Sequence, residues 1–356
     1  MNESRFRIFD GHNDSLLDFF PPFGDGQPEE FFVGNDRWQL DLPKARRGNF
    51  GGGYFAVYIP GEDFAEIAEA IKRGDSDALA AITVPVPYAD AAYPALQLIA
   101  ILFRLEEISE GQFKIVRTAA EMAQCFENNQ LAALFHFEGC EAIDPDLNAL
   151  EVFYQAGLRS VGIVHSRNNH FGYGVPMGFG ESPDNGPGLT DAGLRLVKRC
   201  NELGIAIDVS HLNYKGFWDV ANHTDHPLIA THSCAYQLCN SPRNLMDDQL
   251  DAVAQTGGIV GANFFIGFLN EEGSWEKPTP ISRLVEHIDY MVERMGIDHV
   301  GFGSDYGVIP APVDMPDIST YPLLMAALRE RGYDDEALHK LAHGNWLRVL
   351  RVTWGE

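Results

Sequence analysis

Phe9-Asp10-Gly11-His12-Asn13-Asp14-Ser15 closes the short apolar run Arg5-Phe6-Arg7-Ile8-Phe9 near the start of the chain. His12 and Asp14 stand two residues apart, so in an extended segment both side chains leave the same face. An imidazole beside a carboxylate is half of a metal site. The same letters also describe a turn after a strand, since Asp10-Gly11 and Asn13-Asp14 are turn chemistry. What decides between the two is whether other apolar runs in the chain end in the same way.

They do. Short runs rich in Val, Ile, Phe and Gly recur at Arg7-Phe9, Tyr54-Ile59, Ala132-Phe137, Ser160-Val164, Ile205-Val209, Leu228-Thr231, Ile259-Phe265 and His299-Gly303. Most are continuous in hydrophobicity and do not alternate, as strands of a parallel sheet covered on both faces must be. Helical patterns separate them: Asp63-Arg73, Ala91-Ile108, Ala119-Asn128, Ala149-Ala156, Thr190-Leu203, Tyr214-Ala221, Asp247-Thr256 and Ile281-Met295. Gly157, Gly204, Gly257 and Gly296 follow the last apolar turns, where a helix stop is expected. Eight strands alternating with helices point to an α/β fold, a (β/α)₈ TIM-type barrel. The glycine-rich dinucleotide fingerprint of an open doubly wound sheet is missing after the first strand. Pro/Gly-rich stretches at Pro21-Pro28, Gly172-Gly188, Pro278-Pro280 and Pro310-Pro316 read as long loops decorating one end of the barrel, not as linkers. The eight units lack the fixed period of a repeat protein. Asp334-Val352 reads as one or two closing helices, and residues 1–356 as a single domain.

The runs deliver chemistry at their ends. In order they bring His12 and Asp14, Glu138, His165, His211, His232 and Asp305, and in a closed barrel these ends converge on one mouth. His12, His211, His232, Asp14 and Glu138 offer nitrogen and oxygen donors without thiolate, a set suited to Zn²⁺, with Mn²⁺ or Co²⁺ also served. Five donors exceed one open tetrahedral site. If Glu138 bridges, two metals fit, each with two further ligands and a shared hydroxide. Each residue alone has a structural explanation as a cap, a turn acid or a core hydrogen bond. Those explanations would have to hold independently at every strand end. Asp208, inside the fifth run, is expected to orient a ligand, and His136 to sit deeper in the barrel than Glu138, with which it shares a strand face. Cys140 and Cys234 stand near the ligands but are not expected to bind metal. His170, His223, His226, His287, His299, His339 and His343 read as surface, capping or core residues.

Composition bounds the partners. The 356 residues are 45% hydrophobic and carry 51 Asp plus Glu against 26 Lys plus Arg, a formal charge of −25, so nucleic acid and anionic membrane would meet repulsion. Five cysteines without a CxxC pair are no disulfide framework. The N-terminus lacks the basic and apolar regions of a signal peptide, and the apolar helical segment Ala95 to Leu105 is about half a membrane span. The expectation is a cytoplasmic protein with a small-molecule partner.

The segments Asp-Gly-His-Asn-Asp (10–14), Phe-Glu-Gly (137–139), Asp-Val-Ser-His (208–211), Thr-His-Ser (231–233), Ser-Pro-Arg-Asn-Leu (241–245), Gly-Ser-Asp (303–305) and Gly-Asn-Trp-Leu-Arg-Val (344–349) resemble the membrane dipeptidase (renal dipeptidase) family of metallopeptidases, in the family order and over nearly the whole chain. The resemblance implies a binuclear zinc site on a barrel of the amidohydrolase type. It implies that His12 and Asp14 hold one zinc, His211 and His232 the other, and that Glu138 bridges them. It further implies that His165 contacts the scissile carbonyl and stabilises the oxyanion, that Asp305 orients the bridging water and shuttles its proton, and that Arg243 clamps the free carboxylate of a dipeptide. The implied reaction is hydrolysis of a dipeptide by a metal-bridging hydroxide, with a D-residue tolerated at the C-terminal position and a homodimer allowed. Hydrolysis of an N-acyl amino acid, a lactone or a cyclic amide is the alternative, because the same hydroxide attacks any carbonyl. Three departures bear on specificity. Val164-His165-Ser166-Arg167 replaces a threonine-histidine-asparagine run, so Arg167 is a residue that could alter the substrate pocket. Asn263-Phe264-Phe265 lacks a tyrosine common near that position. Gly139-Cys140 stands where a second glycine is usual. No apolar tail follows Trp354-Gly355-Glu356, so the lipid anchor of the animal members is not expected.

Overall fold

A computed structural model of the chain describes residues 6–21, 23–61, 84–307 and 309–356. Nine strands are present among them: β1 Ile8–Asn13, β2 Phe50–Tyr58, β3 Phe113–Val116, β4 Leu131–Glu138, β5 Ser160–Gly162, β6 Ala206–Asp208, β7 Ile229–Ser233, β8 Ile259–Ala262 and β9 Val300–Phe302. All pair in parallel in the order β2-β1-β9-β8-β7-β6-β5-β4-β3, and a further β2–β4 pairing closes the ring. Eight strands therefore form a (β/α)₈ barrel with helices between them. Every residue of β1, β2 and β4 is buried, the reason these runs read as continuous apolar stretches.

The ninth strand, β3, was not among the expected runs. It pairs with Leu131–Leu134 of β4, while β5 takes His136–Glu138 and β2 runs along Ala132–Glu138. A strand has two edges, so β3 and β5 share the edge of β4 opposite β2, and β3 lies outside the ring.

The helices start and stop as the side chains dictate. Thr118, Thr190, Asn213 and Asp334 each cap a helix by accepting the N–H of the residue three further on, which satisfies an otherwise orphaned donor. Gly157 and Gly204 end their helices in the left-handed conformation. The helix Ile281–Met295 has the expected bounds; the helix expected over Asp63-Arg73 lies outside the described residues.

The closing segment plugs the barrel. Helix Asn345–Trp354 follows a single wide turn over Lys340–Gly344 and buries Trp346 completely. Its indole packs edge-on to Phe9 and against Tyr54 at centroid distances of 6.2 and 5.3 Å, and donates Nε1–H to the Phe302 carbonyl at 3.2 Å. The ring fits only because residue 11 is glycine: a Cβ there would lie 2.4 Å from the indole and 2.2 Å from the Thr231 oxygen. From this floor Tyr54, His136 and His12 stack upward at centroid spacings of 5.6 Å each, so the interior turns from apolar to polar toward the C-terminal ends of the strands.

Candidate active site

β1 contributes His12 from within the strand and Asp14 just beyond it, β4 contributes Glu138 as its last residue, and β7 contributes His232. His165, His211 and Asp305 each follow their strand by three residues. His211 and Asp305 adopt left-handed backbones, with φ of 67° and 66°, uncommon for non-glycine residues and enriched where side chains must be aimed. Asp305 is held there by its N–H, which donates to the His12 carbonyl at 3.0 Å, and Asp14 is anchored by its N–H on the Tyr306 carbonyl at 2.7 Å.

The expected groups meet. Glu138 Oε1 lies 3.0 Å from His211 Nε2, 3.4 Å from His232 Nε2 and 3.6 Å from His12 Nε2. His12 Nε2 is also 3.7 Å from Asp14 Oδ1 and 3.9 Å from Asp305 Oδ1, ion-pair distances too long for hydrogen bonds. Three overlapping trios have ligand atoms within 4.8 Å of one another: His12 with Asp14 and Glu138, His12 with His232 and Asp305, and Glu138 with His165 and His211.

The hydrogen bonds behind the imidazoles fix their tautomers. Asp208 accepts from the Thr231 hydroxyl at 2.6 Å and from the Thr231 N–H at 2.8 Å. With its proton committed to Asp208, the Thr231 oxygen is left to accept from His232 Nδ1 at 2.7 Å. The Ser166 hydroxyl lies 2.9 Å from Met177 Sδ and 3.0 Å from His211 Nδ1; with its proton on the sulfur it is free to take that ring's N–H. Both Nε2 atoms then carry lone pairs, and they stand 3.1 Å apart beside a carboxylate oxygen. Acceptors converging in this way are matched by a cation or by a proton. His12 Nδ1 and Nε2 and Asp14 Oδ1 are likewise buried with no hydrogen-bond partner among the described residues. The donor set thus fits divalent metal.

The electrostatics agree. Burial drives His211, His232 and His165 well below the usual imidazole range, helped by Arg243 at all three, and neutral imidazoles are the ligand-competent form. Burial would also depress His12, but Glu138, Asp14 and Asp305 together hold it up at about 10. Burial raises Glu138, against the pull of His12. A cation reverses each of these penalties.

Arg243, in the loop after β7, is buried, donates to the His232 carbonyl at 3.2 Å and lies 5.3 Å above the Phe268 ring. Arg167 does not reach into the mouth as a free cation. Its Nε meets Glu141 Oε1 at 2.8 Å, its other nitrogens bond the Tyr58 hydroxyl and the Ile59 carbonyl, and its guanidinium lies 5.1 Å over the Tyr58 ring. That ring in turn packs 4.7 Å from His165, so Arg167 acts on the pocket through Tyr58. His136 sits below the mouth with Nδ1 3.0 Å from Ser160 Oγ, and Asp208 holds the Thr231 hydroxyl that faces His232 Nδ1. Cys140 and Cys234 point their thiols at the Gly162 and Asn263 carbonyls. Sequence reasoning missed Thr231 and Ser166 as orienting groups, and Asn263, whose amide meets Asp305 at 2.9 Å. Asn263 directly follows β8, and a polar residue interrupting the apolar run Ile259-Phe265 is the signal that could have found it.

A parallel (β/α)₈ barrel with imidazoles and carboxylates gathered at its C-terminal mouth defines a metal-dependent hydrolase. The family model described as membrane dipeptidase (peptidase family M19) matches residues 3–354. The chain belongs to that family and is a hydrolase of the metallo-dipeptidase class. Among solved structures it is similar to dipeptidase AC, a metallopeptidase of family M19, at 40% identity and a TM-score of 0.91, covering 99% of each chain. It is equally similar to a metallopeptidase from Rhodobacter sphaeroides bound to a phosphinate mimic of the dipeptide L-Ala-D-Ala, at 40% identity and a TM-score of 0.90, covering 98% of this chain and 99% of that one. An uncharacterised protein in the pqqA 5′ region of Klebsiella pneumoniae is 46% identical over 258 residues, 72% of this chain and 95% of that protein. No helix among the described residues is long and apolar enough to cross a membrane.

Proposed function

We propose that the chain is a binuclear zinc dipeptidase acting on dipeptides with a free C-terminal carboxylate, with a D-residue accepted at that end. The observation that carries this reading is Glu138 Oε1, one carboxylate oxygen within 3.0 to 3.6 Å of the Nε2 atoms of His211, His232 and His12. His12 and Asp14 would hold one ion, His211 and His232 the other, and Glu138 would serve both. Bound there, the ions supply Lewis acidity toward a carbonyl and bring the pKa of water near neutrality.

The protein's own groups do the rest. Arg243 receives the substrate carboxylate; its buried guanidinium has Nε without a partner among the described residues. His165, kept neutral by burial and by Arg167 and Arg243, offers an N–H to the oxygen on which charge develops. Asp305 takes a proton from the attacking water and passes it to the amine nitrogen as the C–N bond breaks. The phosphinate mimic of L-Ala-D-Ala bound by the Rhodobacter relative supports the D-residue.

The test is elemental analysis of the purified protein together with turnover of matched L,L and L,D dipeptides, N-acyl amino acids and lactones. Two zinc per chain and turnover confined to free dipeptides are expected. A metal-free protein, or one that prefers lactones or N-acyl amino acids, would overturn the reading.

A further inference from the structure

We infer that Asn263 is a positioning residue that assigns the two oxygens of Asp305 to different tasks. The inference rests on the proposed role of Asp305 as the proton carrier. Asn263 follows β8 directly and is fully buried. Its Nδ2 donates to Asp305 Oδ2 at 2.9 Å, and its Oδ1 accepts the Phe265 N–H at 2.6 Å. A side-chain amide can usually be turned end for end without contradiction. Here it cannot, because the Phe265 N–H is a donor and demands the oxygen. The NH₂ group therefore faces Asp305.

The consequence is chemical. A proton on Asp305 Oδ2 would point an O–H at an N–H, so Oδ2 can only accept. The proton that Asp305 carries must ride on Oδ1, the oxygen 3.9 Å from His12 Nε2 and so turned toward the metal-ligand cluster. Asn263 keeps its bond in both states, since Oδ2 is an acceptor whether Asp305 is ionised or neutral. The proton leaves the attacking water for Oδ1 and leaves Oδ1 for the amine nitrogen, and the carboxyl has no need to rotate between the two transfers. The backbone completes the clamp: Asp305 sits at φ 66° with its N–H on the His12 carbonyl. One hydrogen bond therefore fixes where Asp305 stands and the other which oxygen works.

Two variants separate this role from a structural one. Asn263→Asp keeps an acceptor for the Phe265 N–H and removes the donor to Asp305; Asn263→Ala removes both. Each is compared with the wild type for zinc content, for kcat and KM on a dipeptide, and for kcat on the matching depsipeptide, whose alcohol leaving group depends less on protonation than an amine. In both variants kcat on the dipeptide is expected to fall 10- to 100-fold with KM within about threefold, the loss on the ester to be several-fold smaller, and zinc to remain at the wild-type level. A crystal structure of Asn263→Asp should show the Asp305 carboxylate rotated from its wild-type position. If Asn263→Ala does not fold, Asn263→Asp decides. Unchanged dipeptide turnover in a folded variant, or equal losses on amide and ester, would remove Asn263 from the mechanism while leaving the dipeptidase reading intact. A wild type inert on both substrates would overturn that reading first, and this inference with it.

Discussion

At Glu138 a buried carboxylate oxygen faces three imidazole nitrogens, and an amide in its place would keep the shape while removing the charge. Glu138→Gln is expected to lose at least one zinc and at least about 100-fold in turnover, with an unchanged circular dichroism spectrum; full activity in that variant would rule out a bridging carboxylate. Thr231→Val asks a subtler question. It strips the acceptor from His232 Nδ1 and a donor from Asp208, so the ligand stays while its tautomer is released. Losses of that kind weaken metal binding about 10- to 100-fold, which a competition titration with a chromogenic chelator would read. Arg243→Ala should raise KM for dipeptides roughly 100-fold, as expected for a lost charge-assisted pair, with zinc content untouched; an unaltered specificity constant would place the carboxylate elsewhere. The residues gathered at the mouth were legible in the sequence because each closes an apolar run. Their supports were not, because each acts through a partner distant in the chain: Thr231 through Asp208, 23 residues earlier, and Asn263 through Asp305, 42 residues later. That Arg167 reaches the pocket only through Tyr58 was hidden for the same reason, since its cation is matched by Glu141, 26 residues away.

Among elements, the barrel strands were legible and β3 was not. Phe113-Lys114-Ile115-Val116 is a four-residue segment whose lysine is only half-buried, and it is extended because the first half of β4 leaves an edge free below β5. That is a tertiary cause with no local signature. His287, on the helix Ile281–Met295, shows the converse, a residue left among surface, capping or core positions whose consequence appears only in three dimensions. Its Nδ1 accepts the Ala235 N–H at 3.2 Å and its Nε2 donates to the Leu269 carbonyl at 3.1 Å, joining that helix to the loop after β7 and to the turn after β8. Burial pushes it down to about 4, and protonation would oppose one N–H to another. Between about 6.5 and 4 the unfolded chain therefore binds a proton that the folded chain refuses. The contribution, about 3 kcal/mol, is fully present above 6.5, is lost as pH falls to 4, and changes no further below that. Glutamine at this site can offer the same acceptor and donor without titrating. The difference in urea stability between the wild type and His287→Gln should shift by about that amount between pH 7 and pH 4; a constant difference would show that His287 is not the group responsible.

Over the whole molecule, a formal charge of −25 surrounds a mouth in which Asp14, Glu138 and Asp305 are themselves buried. Burial raises Glu138 and Asp305, and Asp14 raises both further, the mark of carboxylates crowded without enough positive charge. Both the distant field and the local crowding favour divalent cations. They should also disfavour substrates with extra negative charge, so KM for a dipeptide bearing an acidic side chain should fall as salt rises from about 10 to 150 mM, while KM for a neutral dipeptide stays nearly constant. The same imbalance makes metal part of the fold's stability. An ion that binds the folded chain and not the unfolded one stabilises it by RT ln(1 + [L]/Kd), about 4 kcal/mol per site when free ion exceeds Kd 1,000-fold. Stripping the protein with a chelator should therefore lower Tm by at least roughly 5 °C, and adding zinc back should restore it. In Glu138→Gln the crowding is already relieved and the shared ligand gone, so the chelator should lower Tm less than it does in the wild type. A wild-type Tm indifferent to chelation would mean that the buried carboxylates are balanced by protonation instead of by metal, and the cation would then have to be sought outside this mouth.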